Sequence, residues 1–598
     1  MDRTGIIVVS LCAVLLFFWF IETKKVNEQR LLQEQAASTN IVITPPPAVA
    51  SIPISASSGT GFSFSANIPE RTIVLTNARA RYTFTSRGGG LKSVDLLSYP
   101  ETITPRWKKG APTNGVATLN TGAPMPILAI VGDPGFVGDG DFTLTKKDGG
   151  VEAEKSLPDG LVLTKNFQFS SNYLVNITVT LKNESGKPLA LRQQQWIVGT
   201  ATPMDVDDVS FSIYGGAIWF DGVTTHFCPP TYFATNTSYF GIFPRTPKAE
   251  FIGGTNNVVW GATYNQFFTL LAMPKINQPA QEVIATSVDL PATNETSIAA
   301  VGVQTALVYP AQSLAADQIL ERQITLYAGP KEFHALEKIG DQFQNHADLV
   351  WNLGSGFTTF WGIGTFFAKV LLSAMNGLHY LLPALSYGWI IVLLTLLLRA
   401  FFWPFTAASM RSMKKMQALA PEVKALKEKY ADDPQKFTQK QMELWRKNKV
   451  SPMSGCLPML IQMPVFLGFF TMIRSAIELR GAHFLWVVDL TKPDTLFIIP
   501  GFNFPFNLLP LLMVAVMVWQ AHLQPPSPGM DPGQQKMMRY MPLIFLLFLY
   551  NYSAGMALYM TVSTAAGILQ QRLIKNVQLA PATAPVVSTL TPQSKKKK

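Results

Sequence analysis

Arg399 is the one charged side chain in the run WIIVLLTLLLRAFF at residues 389–402. A guanidinium cannot shed its charge, and placing it mid-bilayer costs roughly 2.5–3.5 kcal/mol even on lenient insertion scales. It therefore needs water, a counter-charge or a short reach to the headgroups. No carboxylate is at hand: between Glu337 and Glu422 the acids are Asp341 and Asp348, both outside the run. Thr395 lies four residues earlier and at helical spacing shares a face with Arg399. Two readings stand. Pro404 is only about 7–8 Å further along a helix, so the arginine can snorkel to the cytoplasmic interface. The other reading is a hydrated groove that receives something anionic or polar.

Little else in the chain is equipped for chemistry. Cys12 and Cys456 lie in apolar segments and Cys228 stands alone in a globular stretch. Neither a disulfide framework nor metal-ligand spacing can be built from them, so they read as packing. His226 is the one histidine of the β-patterned region, without a G-x-S-x-G elbow or Gly-rich phosphate loop beside it. It reads as a buried or turn-associated residue. No enzyme activity, cofactor or metal is expected.

The elements around Arg399 are membrane spans. The chain is 48% hydrophobic and 15% charged, and the apolar residues gather in 5–21 and 356–572. Ile6 to Ile21 has Ser10 as its one polar member and runs straight into ETKKVNEQR without a cleavage site, which predicts an uncleaved anchor. Residues 31–68 shift to Ala, Ser, Pro and Thr and read as linker. From residue 69 the period becomes two, as in Val175, Ile177, Val179 and Leu181 against Asn176, Thr178, Thr180 and Lys182. With turns such as Gly88-Gly89-Gly90, this predicts an antiparallel sandwich.

Further spans are predicted at Tyr387–Phe405, Pro452–Ile473, Phe506–Ala521 and within Met541–Leu573. The segment 407–450 carries eleven basic and five acidic residues, net +6, and the tail after Leu573 adds Lys575 and Lys595, Lys596, Lys597 and Lys598 with no acid. The positive-inside rule places both in the cytoplasm. Parity then makes 356–376 an interfacial helix and splits Met541–Leu573 into two short spans turning at Asn551–Gly555. In the basic segment, Met413, Met416, Leu419, Val423, Leu426 and Tyr430 form an apolar stripe, ended by Asp432-Asp433-Pro434. A cytoplasmic helical hairpin follows, its stripe either self-packed or presented to a partner.

These strings resemble the bacterial YidC membrane-protein insertases, the family that includes the mitochondrial and chloroplast insertases. The carriers are LLTLLLRAFFWPF (393–405), ALAPEVKALKEKYADDPQK (418–436), VSPMSGCLPMLIQMPVF (450–466) and YSAGMALYMTVSTAAGILQQRLI (552–574). TSRGGGLKSVDLLSY (85–99) and LYAGPKE (326–332) are similar to the Gram-negative branch. The resemblance implies that Arg399 is a groove arginine, that Thr395 and Gln462 line the groove, and that the β domain is a supersandwich like the sugar-binding mutarotase folds. Where some relatives carry two adjacent tyrosines, this chain has Tyr559 and Met560, and either is a candidate to meet the incoming chain.

The expected architecture is a six-span α-helical membrane protein with a large extracytoplasmic all-β domain. Its parts are an anchor (1–22), a linker (23–68), the periplasmic domain with a terminal helix (69–345), an interfacial helix (346–385), a five-span core (386–574) containing the hairpin 407–450, and a basic tail (575–598). Both termini lie in the cytoplasm and the protein sits in the inner membrane. The expected function is insertion and folding of integral membrane proteins. Candidate partners are nascent membrane proteins, the ribosome through the tail, anionic lipid, the general secretion channel and the signal recognition machinery. Met413, Met416 and the terminal lysines are the expected cytoplasmic contacts. A solute transporter and a membrane-anchored carbohydrate-binding or -processing protein are the rival classes.

Overall fold

The computed structural model describes residues 69–574, apart from 104–114, 133–140, 171–172, 205–214, 235–247, 292–300, 352–362, 432, 449, 451–456, 503 and 524–531. The expected anchor, linker and basic tail, with Lys595 to Lys598, lie outside the described residues, as do Cys12 and Cys456.

Alternation builds the β domain as anticipated. In strand Leu174–Asn183, Val175, Ile177, Val179 and Leu181 are buried while Asn176 is exposed and Thr178 and Thr180 are half-buried. This strand sits inside a nine-stranded antiparallel sheet. The order is Thr225–Cys228, Gly216–Phe220, Trp260–Tyr264, Phe268–Pro274, Ile319–Pro330, Leu174–Asn183, Leu161–Phe169, Gly150–Ser156 and Thr143–Lys147. A five-stranded sheet packs on it, made of Glu250–Gly253, Glu282–Asp289, Val301–Tyr309, Gln194–Ala201 and Ile130–Val131. Trp196 and Trp260 are fully buried in the shared core. Gly261 lets the sheets approach, since a Cβ there would lie 2.9 Å from Leu307 Cδ2. The result is a β-sandwich. Cys228 and His226 are structural: the thiol is buried, and the imidazole Nε2 donates to Asp221 Oδ2 in the hairpin turn at 2.8 Å while the ring stacks on Trp219.

Helix α1 (Phe333–Phe343) closes the domain, with Trp260 Nε1 donating to Asn345 O just beyond it at 2.8 Å. Then come α2 (Ile363–Leu381), α3 (Tyr387–Phe401), α4 (Trp403–Ala418), α5 (Ala420–Lys429), α6 (Pro434–Lys447), α7 (Leu457–Ser475), α8 (Leu508–Leu523), α9 (Pro532–Tyr540), α10 (Pro542–Leu549) and α11 (Ala554–Leu573). The span expected to reach Phe405 ends instead at Phe401, and α4 leaves at 60°. Pro404 explains the bend: it has no N–H for the Ala400 carbonyl, and its ring clashes with that group. The stripe 413–430 is likewise broken at Leu419, with Pro421 opening α5. The stretch 541–573 divides between Leu549 and Ala554, at the turn read from parity. Among the described residues no single helix is long and apolar enough to cross a membrane. The bent pair α3–α4 meets that measure jointly, and Leu460–Ser475 and α8 are shorter apolar helices.

The two halves meet at the outer end of α7. Gln266 Nε2 donates to Arg474 O at 3.0 Å, and Arg480 Nη2 donates to Glu101 O at 2.9 Å with its guanidinium over Phe268. Helix α2 joins through Asn376 Nδ2, which donates to Glu478 Oε1 at 2.9 Å, and through Lys369 paired to Asp348 at 3.0 Å. Gly468 is required here, because a Cβ would fall 2.6 Å from Phe367 Cβ.

One buried charge in the sandwich gives a test of the fold. Lys165 is fully buried and donates to the carbonyls of Gly88 and Leu128, each at 2.7 Å, with Phe142 stacked on its ammonium at 4.7 Å. These partners favour the charged form, but burial, helped by the Lys155 ammonium, pushes the pKa down to about 7. Between that value and the ordinary lysine range near about 10.4 the unfolded chain holds a proton that the folded chain releases. Stability therefore rises with pH across this window. Calorimetry of the full chain should show the β-domain transition moving upward from about pH 7 to about pH 9. Lys165→Met should flatten that rise; an unchanged slope would mean the ammonium stays charged throughout.

Candidate functional site

Four helices deliver polar side chains to one cleft: α3, α4, α7 and α11, lined by Thr395, Leu398, Arg399, Phe402, Thr406, Ile461, Gln462, Val465, Tyr559 and Ser563. The Ser563 hydroxyl is its hub. It accepts from Arg399 Nη2 at 2.9 Å and Nε at 3.2 Å, and from Gln462 Nε2 at 3.3 Å. Gln462 also donates to the Tyr559 hydroxyl, and Tyr559 stacks on Phe469 at 4.1 Å with an interplanar angle of 17°. No acidic side chain among the described residues forms an ion pair with Arg399. A hydroxyl, not a carboxylate, is the partner that the described residues give the guanidinium.

Helical spacing explains the assembly. Tyr559, Ser563, Gly567 and Gln570 follow at four, four and three residues, so they lie along one face of α11. Gln570 Nε2 donates to Thr406 Oγ1 beyond the bend, tying α11 to α4. Gly567 leaves room beside the cation: a Cβ would sit 3.6 Å from Arg399 Nη1 and Nη2 and 3.4 Å from Gln520 Nε2. The cleft itself is narrow, with a cavity volume of about 10 Å³ for water centres, room for about one water molecule.

Of the residues singled out in the sequence, Arg399, Thr395, Gln462 and Tyr559 come together. Thr395 lines the cleft, but its hydroxyl already donates to Ile391 O at 2.7 Å, so it offers less polarity than its position suggested. Met560 is not among the lining residues. One residue along a helix is a turn of about 100°, and Met560 packs half-buried against the hydrophobic core instead. Met416 is buried with Leu419 and Val450 against the half-buried Trp445 in the basic segment, and Met413 is half-buried. The exposed methionine of this segment is Met442, 50% accessible. Ser563 and Thr406 were not singled out. The one signal for Ser563 was its four-residue offset from Tyr559.

Residues 378–581 match the family described as "60Kd inner membrane protein", and residues 72–369 match "YidC periplasmic domain". The "Membrane protein insertase YidC" of Coxiella burnetii (strain CbuK_Q154) is 30% identical over 423 residues, covering 70% of this chain and 67% of that one. The protein of the same description from Neisseria meningitidis serogroup B (strain MC58) is 29% identical over 541 residues, 87% of this chain and 91% of that one. A solved structure, "Active YidC insertase crystal structure with the first transmembrane domain resolved", aligns at 17% identity and TM-score 0.33, covering 86% of this chain and 94% of that one. The fold and matches define an inner-membrane protein with a β-sandwich periplasmic domain. The chain belongs to the YidC family of membrane protein insertases, a non-enzymatic class. The transporter and carbohydrate readings are thereby set aside.

The hub gives a stability test. Ser563→Ala leaves a buried guanidinium and a glutamine amide short of an acceptor, at about 1–3 kcal/mol. Arg399→Ala should cost less, and the double variant should recover most of the Ser563→Ala loss. Unfolding of the purified protein by detergent titration reads the coupling. Strict additivity would separate Ser563 from Arg399.

Proposed function

We propose that this protein inserts membrane proteins through the cleft at Arg399. The carrying observation is a guanidinium held between α3 and α11 by a neutral hydroxyl, with no acid paired to it among the described residues. Such a cation is free to attract acidic residues in the polar leading segment of a nascent chain. Gln462, Tyr559 and Ser563 supply exchangeable hydrogen bonds, and the narrow cleft opens and hydrates as the segment enters. The substrate's apolar helix then partitions into lipid, driven by burial of its surface and, for acidic or basic segments, by the membrane potential at about 2.3 kcal/mol per charge per 100 mV. The same contacts shelter partly folded spans, which is the chaperone side of the activity.

The topology that fits has six spans, both termini in the cytoplasm and the β domain in the periplasm. Helix α2 lies in the outer interface, and α3, α7, α8, α9 with α10, and α11 cross. At 16 residues, α8 is about 24 Å long against a hydrocarbon core of about 30 Å, so the bilayer thins locally beside the cleft and the polar path shortens. The basic tail suits ribosomal RNA or anionic lipid. The hairpin's exposed face, including Met442, suits the signal recognition machinery, and the secretion channel is a further partner.

Cysteine labelling of intact spheroplasts should reach positions placed in 69–345 and 480–494 and miss 407–450. Labelling of the hairpin from outside contradicts the six-span arrangement.

Charge should matter more than shape at position 399. Arg399→Lys keeps the charge and loses the planar fork, so most insertion activity should remain. Arg399→Ala should fail chiefly on substrates whose leading segment is acidic. Normal insertion of acidic substrates by the alanine variant would reduce Arg399 to a snorkelling residue. Equal failure on acidic and neutral substrates would assign it to hydrating the cleft.

A further inference from the structure

Between α7 and α8 a short hairpin pairs Thr495–Ile499 with Phe504–Asn507. Its composition is unlike that of a hairpin meant for water. Residues 495–530 contain no Asp, Glu, Lys or Arg. Among the described residues 495–506 none is buried. Phe502 at the tip is 85% exposed, and Phe497 and Phe504 are 48% and 47% exposed. A half-buried strand pair alternates apolar and polar side chains; this one is apolar on both faces.

The base of the hairpin is held as firmly as its tip is bare. Asn507 is fully buried and donates Nδ2 to Tyr550 O at 2.9 Å and Asn551 Oδ1 at 3.2 Å. The Tyr550 hydroxyl donates to Pro505 O at 2.8 Å, and its ring stacks on Phe504 at 5.0 Å. Asp494 Oδ2 accepts from the backbone N–H groups of Leu508 and Leu509, at 3.1 and 2.7 Å, and from Trp486 Nε1 at 3.0 Å. Phe497 and Phe506 stack at 4.9 Å and 10°, stiffening the pair. The hairpin is thus a fixed extension of the start of α8 and of the α10–α11 turn.

We infer that the Phe497–Phe504 hairpin is a lipid-binding wedge whose aromatic tip sits in the outer leaflet. Continuity identifies the occupant. The chain stays free of Asp, Glu, Lys and Arg from the tip into α8, where Leu512 and Trp519 are 40% and 50% exposed. A protein partner usually meets a charged, polar rim around such a patch, and 495–506 supplies no Asp, Glu, Lys or Arg for one. The backbone sets the depth. A two-stranded hairpin leaves N–H and C=O groups unpaired on its outer edges, which hydrocarbon does not tolerate. The tip therefore rests at the boundary between headgroups and acyl chains, where aromatic rings are favoured, and holds the outer end of α8 at a constant depth.

The inference rests on α8 being a span with its first turn outward, and the test separates the two. The full chain, with Cys12, Cys228 and Cys456 replaced by alanine, is reconstituted in vesicles of phosphatidylethanolamine and phosphatidylglycerol. A fluorophore is placed on Phe502→Cys, on Leu512→Cys, or on Lys187→Cys, an exposed turn of the β domain. Lipids spin-labelled near the headgroup should quench the 502 probe several-fold more than lipids labelled at the chain end, with iodide quenching reduced several-fold relative to the 187 probe. Iodide quenching equal to that at 187 overturns the wedge, and protection from every quencher overturns it in favour of a protein covering. If the 512 probe meets lipid and the 502 probe does not, only the wedge falls. Failure at both positions removes the span reading of α8 with it.

Discussion

A guanidinium that cannot lose its charge has to be accommodated among apolar helices, and the membrane half of this protein is arranged around that demand. Arg399 satisfies two of its donors on one neutral hydroxyl, Ser563. A carboxylate would have neutralised the site and closed it to other anions, since breaking a buried ion pair is strongly unfavourable. A hydroxyl holds the cation in place and leaves its field uncancelled. The neighbours follow from this choice. Gln462 shares the same oxygen, Tyr559 accepts from Gln462, and Gly567 keeps a side chain off the guanidinium. The ring stack of Tyr559 on Phe469 then fixes α11 against α7.

The bend at Phe402 serves the same site. It turns the continuous run 387–418 so that α3 carries Arg399 to the cleft while α4 leaves toward the basic hairpin. Thr406, the first polar residue past the bend, meets Gln570. One face of α11 therefore touches both limbs of the bend, which links the basic segment beyond α4 to the walls of the cleft.

The sandwich was legible because strand alternation is a local property: Val175, Ile177, Val179 and Leu181 declare a buried face without reference to their partners. Arg399 was legible because a charge in an apolar run is costly wherever the fold places it. Ser563 was not, since serine is unremarkable in a helix and its role arises only when α11 meets α3. Met416 stayed ambiguous in the sequence for a related reason. A stripe shows that a face is apolar and is silent on what covers it, and here Trp445 and Val450 do so. The split at Leu419 was available in the sequence through Pro421, but the apolar period runs across it undisturbed. The Thr495–Asn507 hairpin escaped notice because its strands do not alternate.

The contacts joining the β domain to the outer end of α7 link residues far apart in the chain: Arg480 reaches Glu101 across 379 positions and Gln266 reaches the Arg474 carbonyl across 208. During synthesis the sandwich is complete long before its docking partner leaves the ribosome. The Arg480 guanidinium lies over the Phe268 ring in the finished protein, a contact made only after that interval. Folding of the two halves is thus sequential by construction, with the sandwich needing to be stable alone. The late arrival of residues 474–480 acts as a clasp that closes only once more than three quarters of the chain has been made.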